Sequence, residues 1–310
     1  IGLRVNPHMG PGTGAGSYAR ALDHGLRVGA ICSTDNWSNM PGQWGEGLMG
    51  CCAKELTRES LWEAFLARRV YGVTGDRIHL SFTCNDEPMG SVIGPDKRRE
   101  LRVAVRGADA IDRIEILRNN EVVATHCHQG SWSLPEDGER RRYKVRIEAG
   151  WGPRVGEMPF GEYTWDGHIA LSDGRIVGWE PCWSTRGQAV PVIDGGTAQF
   201  TLRSYQERVT EHAQEALIFE LEATPQTEFL LRIGGMETCC TVHELAAESH
   251  ILWQKERTIQ LIEEATGLTK ADLPREDPLL YHFALKTKVH RAIPEAGYCA
   301  QFEFADTDAL

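Results

Sequence analysis

The sequence predicts an α/β segment over residues 1–75, followed by a larger all-β region. Residues 27–34 form a short apolar run of small and β-branched side chains, which suits a buried strand of a parallel sheet. A helix with one apolar stripe follows this run. From about residue 71, apolar and polar residues alternate with a period of two, as in antiparallel strands. This change of period predicts a domain boundary near Gly75, with one β-rich domain over 76–240 and further helices and a strand over 241–310.

Asp35 follows the apolar run directly, at the position where ligand-binding residues gather in α/β folds. A loop rich in Asn, Ser, Pro, Gly and Trp separates it from the helix. Thr57 is a good N-cap for that helix, and Glu59 lies in its first turn. The apolar stripe predicts a helix packed on a sheet. The stripe consists of Leu61, Trp62, Phe65 and Leu66.

Short strands with alternating polarity recur through residues 78–200. The alternation is clearest over 78–84, 101–106 and 143–148. Asn119-Asn120 and Asp173-Gly174 are residue pairs that favour two-residue hairpin turns. Short strands at this spacing predict a β-sandwich-like region, in which one face of a strand packs on the core and the other meets solvent.

After residue 240 the pattern predicts a few short helices and one strand. Thr241 and Glu244 form a capping-box pattern that opens a short helix. A second helix is expected over 258–265, ending at Gly267. Residues 298–304 alternate again and continue the β-rich region.

Composition and charge exclude several classes of binding partner for this protein. The chain has 310 residues, 41% hydrophobic and 25% charged, which is enough for about two globular domains. With 33 Lys and Arg residues against 44 Asp and Glu residues, the formal charge of −11 has the wrong sign for neutralising nucleic-acid phosphates. No stretch approaches the roughly 20 continuous apolar residues that span a bilayer. We therefore expect a small-molecule substrate and neither nucleic acid nor membrane as partner; the oligomeric state stays open.

The cysteines predict a reducing compartment. They number nine, which is odd, and no C-x-x-C pair occurs among them. A disulfide framework and a structural zinc knuckle therefore both lack support, and we expect a cytoplasmic protein.

Histidines offer few recognisable patterns. His8 lies beside the glycine-rich residues 10–16, whose spacing matches no phosphate-binding motif. His126 and His128 have the spacing of a metal pair on one strand face, but no carboxylate lies beside them in the sequence. We interpret this pair as surface histidines, and His243 and His250 as helix-surface residues. The sequence assigns no catalytic residue.

Residues 21–80 contain a series of ordered motifs. They are GLRVG at 25–29, STDN at 33–36, PG at 41–42, LTRE at 56–59, ARRVY at 67–71 and TGDRI at 74–78. This series resembles the C-terminal part of PHP-type metallohydrolases. The most similar groups are the CehA/McbA-like hydrolases and the family named domain of unknown function 3604. The resemblance covers about the first 95 residues well and the β-rich remainder more loosely.

The resemblance implies the end of a distorted (β/α) barrel followed by a β-sandwich-like region with a few short helices. It also implies a cluster of divalent metals, zinc or manganese, that activates water against an ester, carbamate or phosphoester. The metal ligands would be Asp35 and His8. The substrate would meet Asn36, Trp37, Trp44 and Arg77. The chain begins at Ile1 after the family's early barrel motifs, so we expect the natural N-terminus to lie upstream.

Trp37 occupies the position at which the family has a second ligand, a histidine. Indole has a donor N–H and no available lone pair, so Trp37 cannot bind a metal. Three hypotheses therefore remain open. The chain belongs to an active hydrolase with an altered metal shell, to a degenerate member that binds a ligand through Trp37 and Trp44, or to a structural β-sandwich accessory module.

Overall fold

The computed structural model describes residues 17–33, 47–95, 97–128, 132, 138–150, 162–182, 189–205, 214–273 and 285–308. Antiparallel pairing joins the strands in these ranges. The strands are β1 Gly47–Cys51, β2 Val70–Thr74, β3 His79–Cys84, β4 Glu87–Pro88, β5 Arg99–Arg106, β6 Arg113–Arg118, β7 Glu121–Cys127, β8 Arg141–Ala149, β9 Glu162–Leu171, β10 Arg175–Cys182, β11 Val192–Asp194, β12 Thr197–Tyr205, β13 Glu215–Ala223, β14 Glu228–Ile233, β15 Met236–Thr241, β16 His250–Trp253, β17 Lys286–Val289, β18 Ile293–Pro294 and β19 Cys299–Asp306. The helices are α1 Tyr18–Asp23, α2 Arg58–Leu66, α3 Val242–Ala247, α4 Lys255–Thr266 and α5 Glu295–Tyr298.

Two sheets face each other across the main hydrophobic core. One has the order β10-β13-β8-β17-β16, with β18 also paired to β8, and the other has the order β11-β12-β9-β14-β15. The rings of Phe200 and Phe219, from opposite sheets, lie 5.3 Å apart. Trp165 is fully buried in this core and donates a hydrogen bond from Nε1 to Ser204 Oγ at 3.0 Å. This hydrogen bond gives the buried indole N–H a partner inside an apolar core.

Strand β8 is buried on both faces. Tyr143, Val145 and Ile147 point into the main core, as the alternation predicts. Lys144 and Glu148, on the other face, are also buried, although the sequence predicts that this face is solvated. That prediction is wrong because other segments of the chain cover the outer face and supply charged partners to it.

A smaller sheet and a hairpin form a second core. The sheet has the order β19-β5-β3-β4, and the hairpin consists of β6 and β7. Leu101 and Val103 from β5 pack with Ile116 from β6. Alternation over 78–84 and 101–106 thus corresponds to real antiparallel strands, β3 and β5, as predicted.

The predicted barrel remnant over residues 1–75 is wrong. The described residues form no closed barrel, and their sheets are antiparallel and accompanied by little helix. The described part of the predicted buried strand, residues 27–33, forms no strand, and Ile31 is 77% exposed. The strands of this segment are instead β1 and β2, which form an antiparallel pair. An apolar run alone does not determine a strand, because a strand also needs a partner for its backbone groups.

Helix α2 begins where the sequence predicts, because the Thr57 side chain accepts a hydrogen bond from the Ser60 backbone at 3.3 Å. Its apolar stripe is less buried than predicted. Ala64 is buried, whereas Trp62 and Leu66 are exposed. In the described part of the chain the helix thus packs through a narrower face than the stripe suggests.

The two predicted hairpin turns have different outcomes. Asn119 and Asn120 both have positive φ, 49° and 64°, and join β6 to β7 in a two-residue hairpin, which confirms the prediction. Asp173-Gly174 does not close a hairpin, because β9 and β10 belong to different sheets. Gly174 instead lies at the corner where the chain passes from one sheet to the other, and its positive φ of 94° permits this turn.

The C-terminal elements follow the local signals closely. Thr241 and Glu244 form the predicted capping box at the start of α3. Helix α4 ends at Gly267, which has the left-handed conformation with φ 74°. Strand β19 covers the predicted alternating segment and pairs with β5.

Candidate functional site

Most of the residues that the sequence nominates lie outside the described ranges. These are His8, Asp35, Asn36, Trp37 and Trp44. Arg77 is described and is partly buried after β2. Among the described residues, no group of three or more His, Cys, Asp or Glu side chains is placed to hold a metal ion. The metal cluster that the resemblance implies would therefore need ligands from outside the described ranges.

The two histidines of the H-x-H pair have separate aromatic neighbours. His126 stacks on Phe302, with ring centroids 5.2 Å apart and an interplanar angle of 10°. His128 lies against Trp132, with centroids 4.8 Å apart. Both are partly buried, and these contacts replace the fully solvated surface that the sequence suggests.

A cavity of about 490 Å³ lies beside His128, between the end of β7, helix α3 and the loop before β18. This volume is within the range of about 300–1,000 Å³ typical of small-molecule sites. The polar and aromatic side chains that line it are Asp112, His128, Trp132, His243 and Arg291. Arg77 does not line this cavity.

Backbone hydrogen bonds hold the walls of the cavity together. The His128 N–H donates to the Asp112 carbonyl at 2.8 Å, which fixes the start of one wall. The Ala292 N–H donates to the Leu245 carbonyl at 3.0 Å, and the Arg291 N–H donates to Ser249 Oγ at 3.1 Å. Arg291 is therefore positioned by its own backbone against helix α3, which carries His243.

Trp132 connects the two sides of the cavity. The Arg291 guanidinium carbon lies 5.7 Å from the centroid of the indole ring, a cation–π distance, and His128 packs against the same ring. Gly297 permits this arrangement, because a Cβ at that position would lie 2.9 Å from Trp132 Cε2. Sequence reasoning missed this group because its members are far apart in the chain and form no local motif.

A network of buried charges lies on the outer face of the six-stranded sheet. An Arg146 Nη donates to Asp76 Oδ2 at 2.9 Å and lies 3.5 Å from Asp109 Oδ2. The Cys182 thiol donates to Asp76 Oδ1 at 3.2 Å. Burial, opposed by the nearby Arg146 guanidinium, raises the pKa of Cys182 far above its usual value, so the thiol stays protonated. Cys182 is therefore a hydrogen-bond donor here and not a nucleophile.

The same network continues along β8. Lys144 Nζ lies 2.7 Å from Glu180 Oε1 and 2.7 Å from the Gly107 carbonyl oxygen. It also lies 4.9 Å from the centroid of the Tyr298 ring. Glu220 accepts hydrogen bonds from Arg106 at 2.6 Å and from the Tyr298 hydroxyl at 3.3 Å. The contact between Arg106 and Glu220 joins β5 to the sandwich. Asp76 joins the β2–β3 connection to the sandwich through Arg146, which gives Asp76 a structural role.

Comparison with known proteins finds partial similarity to longer chlamydial proteins. The chain is 33% identical over 124 residues to an uncharacterized protein of Chlamydia pneumoniae, a match that covers 36% of this chain and 20% of the relative. It is 31% identical over 130 residues to an uncharacterized protein of Chlamydia muridarum, covering 39% and 21% of the two chains. It is 29% identical over 130 residues to one of Chlamydia trachomatis, covering 37% and 21%. The match thus spans about a fifth of the length of these relatives. No protein-family model matches the chain.

The described helices are all too short or too polar to cross a bilayer.

Proposed function

We propose that the chain is part of a metal-dependent hydrolase of the ester, carbamate or phosphoester class, similar to the PHP-type enzymes. The observation that carries this proposal is the ordered motif series, three of whose described members follow one another along α2, β2 and the start of β3. Leu56–Glu59 opens α2, residues 67–71 lead from α2 into β2, and residues 74–78 lead from β2 to β3. Asp76 of the last motif also attaches this segment to the sandwich through Arg146.

The metal, zinc or manganese, would need ligands from outside the described residues. A catalytic metal usually has three or more protein ligands and an open position. The resemblance nominates only two metal ligands, Asp35 and His8, and Trp37 cannot be a third ligand. We therefore expect the 310-residue chain alone to hold no stoichiometric metal and to hydrolyse neither phosphoesters nor carbamate esters above background.

A second candidate function is binding without catalysis. Trp37, in place of the expected histidine, favours a degenerate member of the family that binds a ligand, and the described cavity beside His128 offers a site of suitable volume. In either case the proposed partner is a small molecule. The proposed location is a reducing cytoplasm, supported by the odd number of cysteines and by their lack of a C-x-x-C pair.

The decisive experiment compares the 310-residue chain with a version extended upstream, each with and without Trp37→His. Zinc and manganese content is measured by elemental analysis, and turnover with bis(p-nitrophenyl) phosphate and p-nitrophenyl acetate. We expect metal and metal-dependent turnover in the extended protein and neither in the short chain. An extended protein that holds no metal and hydrolyses neither ester would support the binding function. Stoichiometric metal with turnover in the short chain would contradict our assignment of the ligands.

A further inference from the structure

We propose that the cavity beside Trp132 binds a small organic anion, a carboxylate or phosphate carried on a compact apolar body. This binding site is independent of the proposed hydrolase activity. It rests on the side chains that surround the cavity and on the way in which the fold positions them.

Arg291 is the group that would bind the anion. It is exposed at the cavity, and it forms no salt bridge with any carboxylate in the described part of the chain. Its guanidinium is held over the Trp132 ring, 5.7 Å from the centroid, which leaves its N–H donors available around the ring. A planar guanidinium with a fixed position suits two-point hydrogen bonding to a carboxylate or phosphate.

Histidine side chains supply further polar contacts. His128 packs against the same Trp132 ring as Arg291, and His243 lines the cavity from helix α3. A protonated imidazole nitrogen can donate a hydrogen bond to an oxyanion, and His243 is exposed at the cavity. Positively charged and hydrogen-bonding groups therefore come from separate segments of the chain and meet at one opening.

The remaining wall is apolar. Ile111, Ala246 and Pro294 also line the cavity. A wall of this kind favours an apolar portion on the ligand, since transfer of apolar surface out of water is favourable by about 25 cal/mol per Å². The cavity of about 490 Å³ is large enough for a single aromatic or branched aliphatic group with one charged end.

Asp112 is the opposing charge and makes the proposal sharply testable. Its side chain is exposed and also lines the cavity. A carboxylate at this position repels an anionic ligand. Removing the charge of Asp112 must therefore strengthen anion binding, whereas removing the charge of Arg291 must weaken it.

The test is isothermal titration calorimetry with benzoate, phenyl phosphate and the neutral isostere benzamide. Benzoate and phenyl phosphate separate a carboxylate site from a phosphate site. We expect at least one of the two anions to bind the 310-residue chain, and benzamide to bind at least tenfold more weakly. Arg291→Ala should weaken anion binding at least tenfold, because a hydrogen bond to a charged group contributes about 1.5–3 kcal/mol. Asp112→Asn should tighten it.

Arg58→Ala is the matched control, because Arg58 is an exposed arginine at the start of α2 that does not line the cavity. It should bind the anion as the wild type does. His243→Ala gives a second test if Arg291→Ala fails to fold, and should weaken binding by at least threefold. Equal binding of benzamide and the anions would overturn the proposal. So would unchanged anion binding by both Arg291→Ala and His243→Ala, or no binding of either anion at millimolar concentration.

Discussion

Lys144 gives the sharpest test of the buried charge network. The side chain is 2% exposed and lies 2.7 Å from both Glu180 Oε1 and the Gly107 carbonyl oxygen. The second carboxylate oxygen of Glu180 is buried and has no hydrogen-bond partner in the described part of the chain. Lys144→Met keeps an unbranched side chain one atom shorter, removes the charge and leaves the Glu180 carboxylate in a largely buried position without its cation.

The expected cost follows from the burial of the pair. Removing one partner of a buried ion pair typically destabilises a protein by about 3–5 kcal/mol, because the other charge stays behind without compensation. Neutralising the second partner removes most of that penalty. We therefore expect Lys144→Met to lower the free energy of unfolding by about 3–5 kcal/mol. Lys144→Met combined with Glu180→Gln should lower it by only about 1–3 kcal/mol, the cost of the Gly107 carbonyl left without its donor.

Urea denaturation followed by far-UV circular dichroism at neutral pH measures both free energies. Lys54→Met is the matched control, since Lys54 is exposed, and should stay within about 0.5 kcal/mol of the wild type. The reasoning is refuted if Lys144→Met resembles that control, or if the double variant is less stable than the single one.

The remaining predictions concern packing, thiol reactivity and pH. Gly297→Ala should lower the free energy of unfolding by about 1–3 kcal/mol in urea, because its Cβ would lie 2.8 Å from the nearest side-chain atom. Gly178→Ala, where the added Cβ meets nothing within 4 Å, should have little effect. In native protein, Ellman's reagent should modify exposed Cys239 much faster than Cys240, since burial raises the pKa of Cys240 to about 11; equal rates by peptide mass spectrometry would refute this. Although burial raises the pKa of Asp306, hydrogen bonds from two arginines lower it by more, to below its usual value. The resulting stability is present above an unfolded-state pKa of about 3.9 and is lost as the pH falls through the folded-state pKa. Asp306→Asn should therefore flatten the dependence of Tm on pH between about 5 and 3; an unchanged slope would contradict this.

Local signals predict turns and helix ends well. The Asn119-Asn120 hairpin, the Thr241 and Glu244 capping box and the Gly267 helix end all depend on residues within a few positions of each other. Such features need no tertiary partner to form, so the sequence contains the information that specifies them.

Features that depend on distant partners could not be predicted in the same way. Residues 27–33 have the composition of a buried strand, but no described strand pairs with them. Composition alone cannot reveal whether a pairing strand is present. Alternation in β8 separates two faces, but it does not show that Asp76 and Gly107 cover the charged one. The cavity is a stronger case, since Arg291 and His128 meet only through tertiary packing.

The proposed hydrolase function is tested most directly at Asp35, the proposed metal ligand. The most direct measurement is the metal content and turnover of the upstream-extended protein carrying Asp35→Ala, with bis(p-nitrophenyl) phosphate as substrate. Asp194→Ala, at an exposed strand position, is the control. We predict that Asp35→Ala loses bound zinc or manganese and at least about tenfold in turnover, whereas the control loses neither. Retention of both metal and turnover by Asp35→Ala would contradict the proposed function.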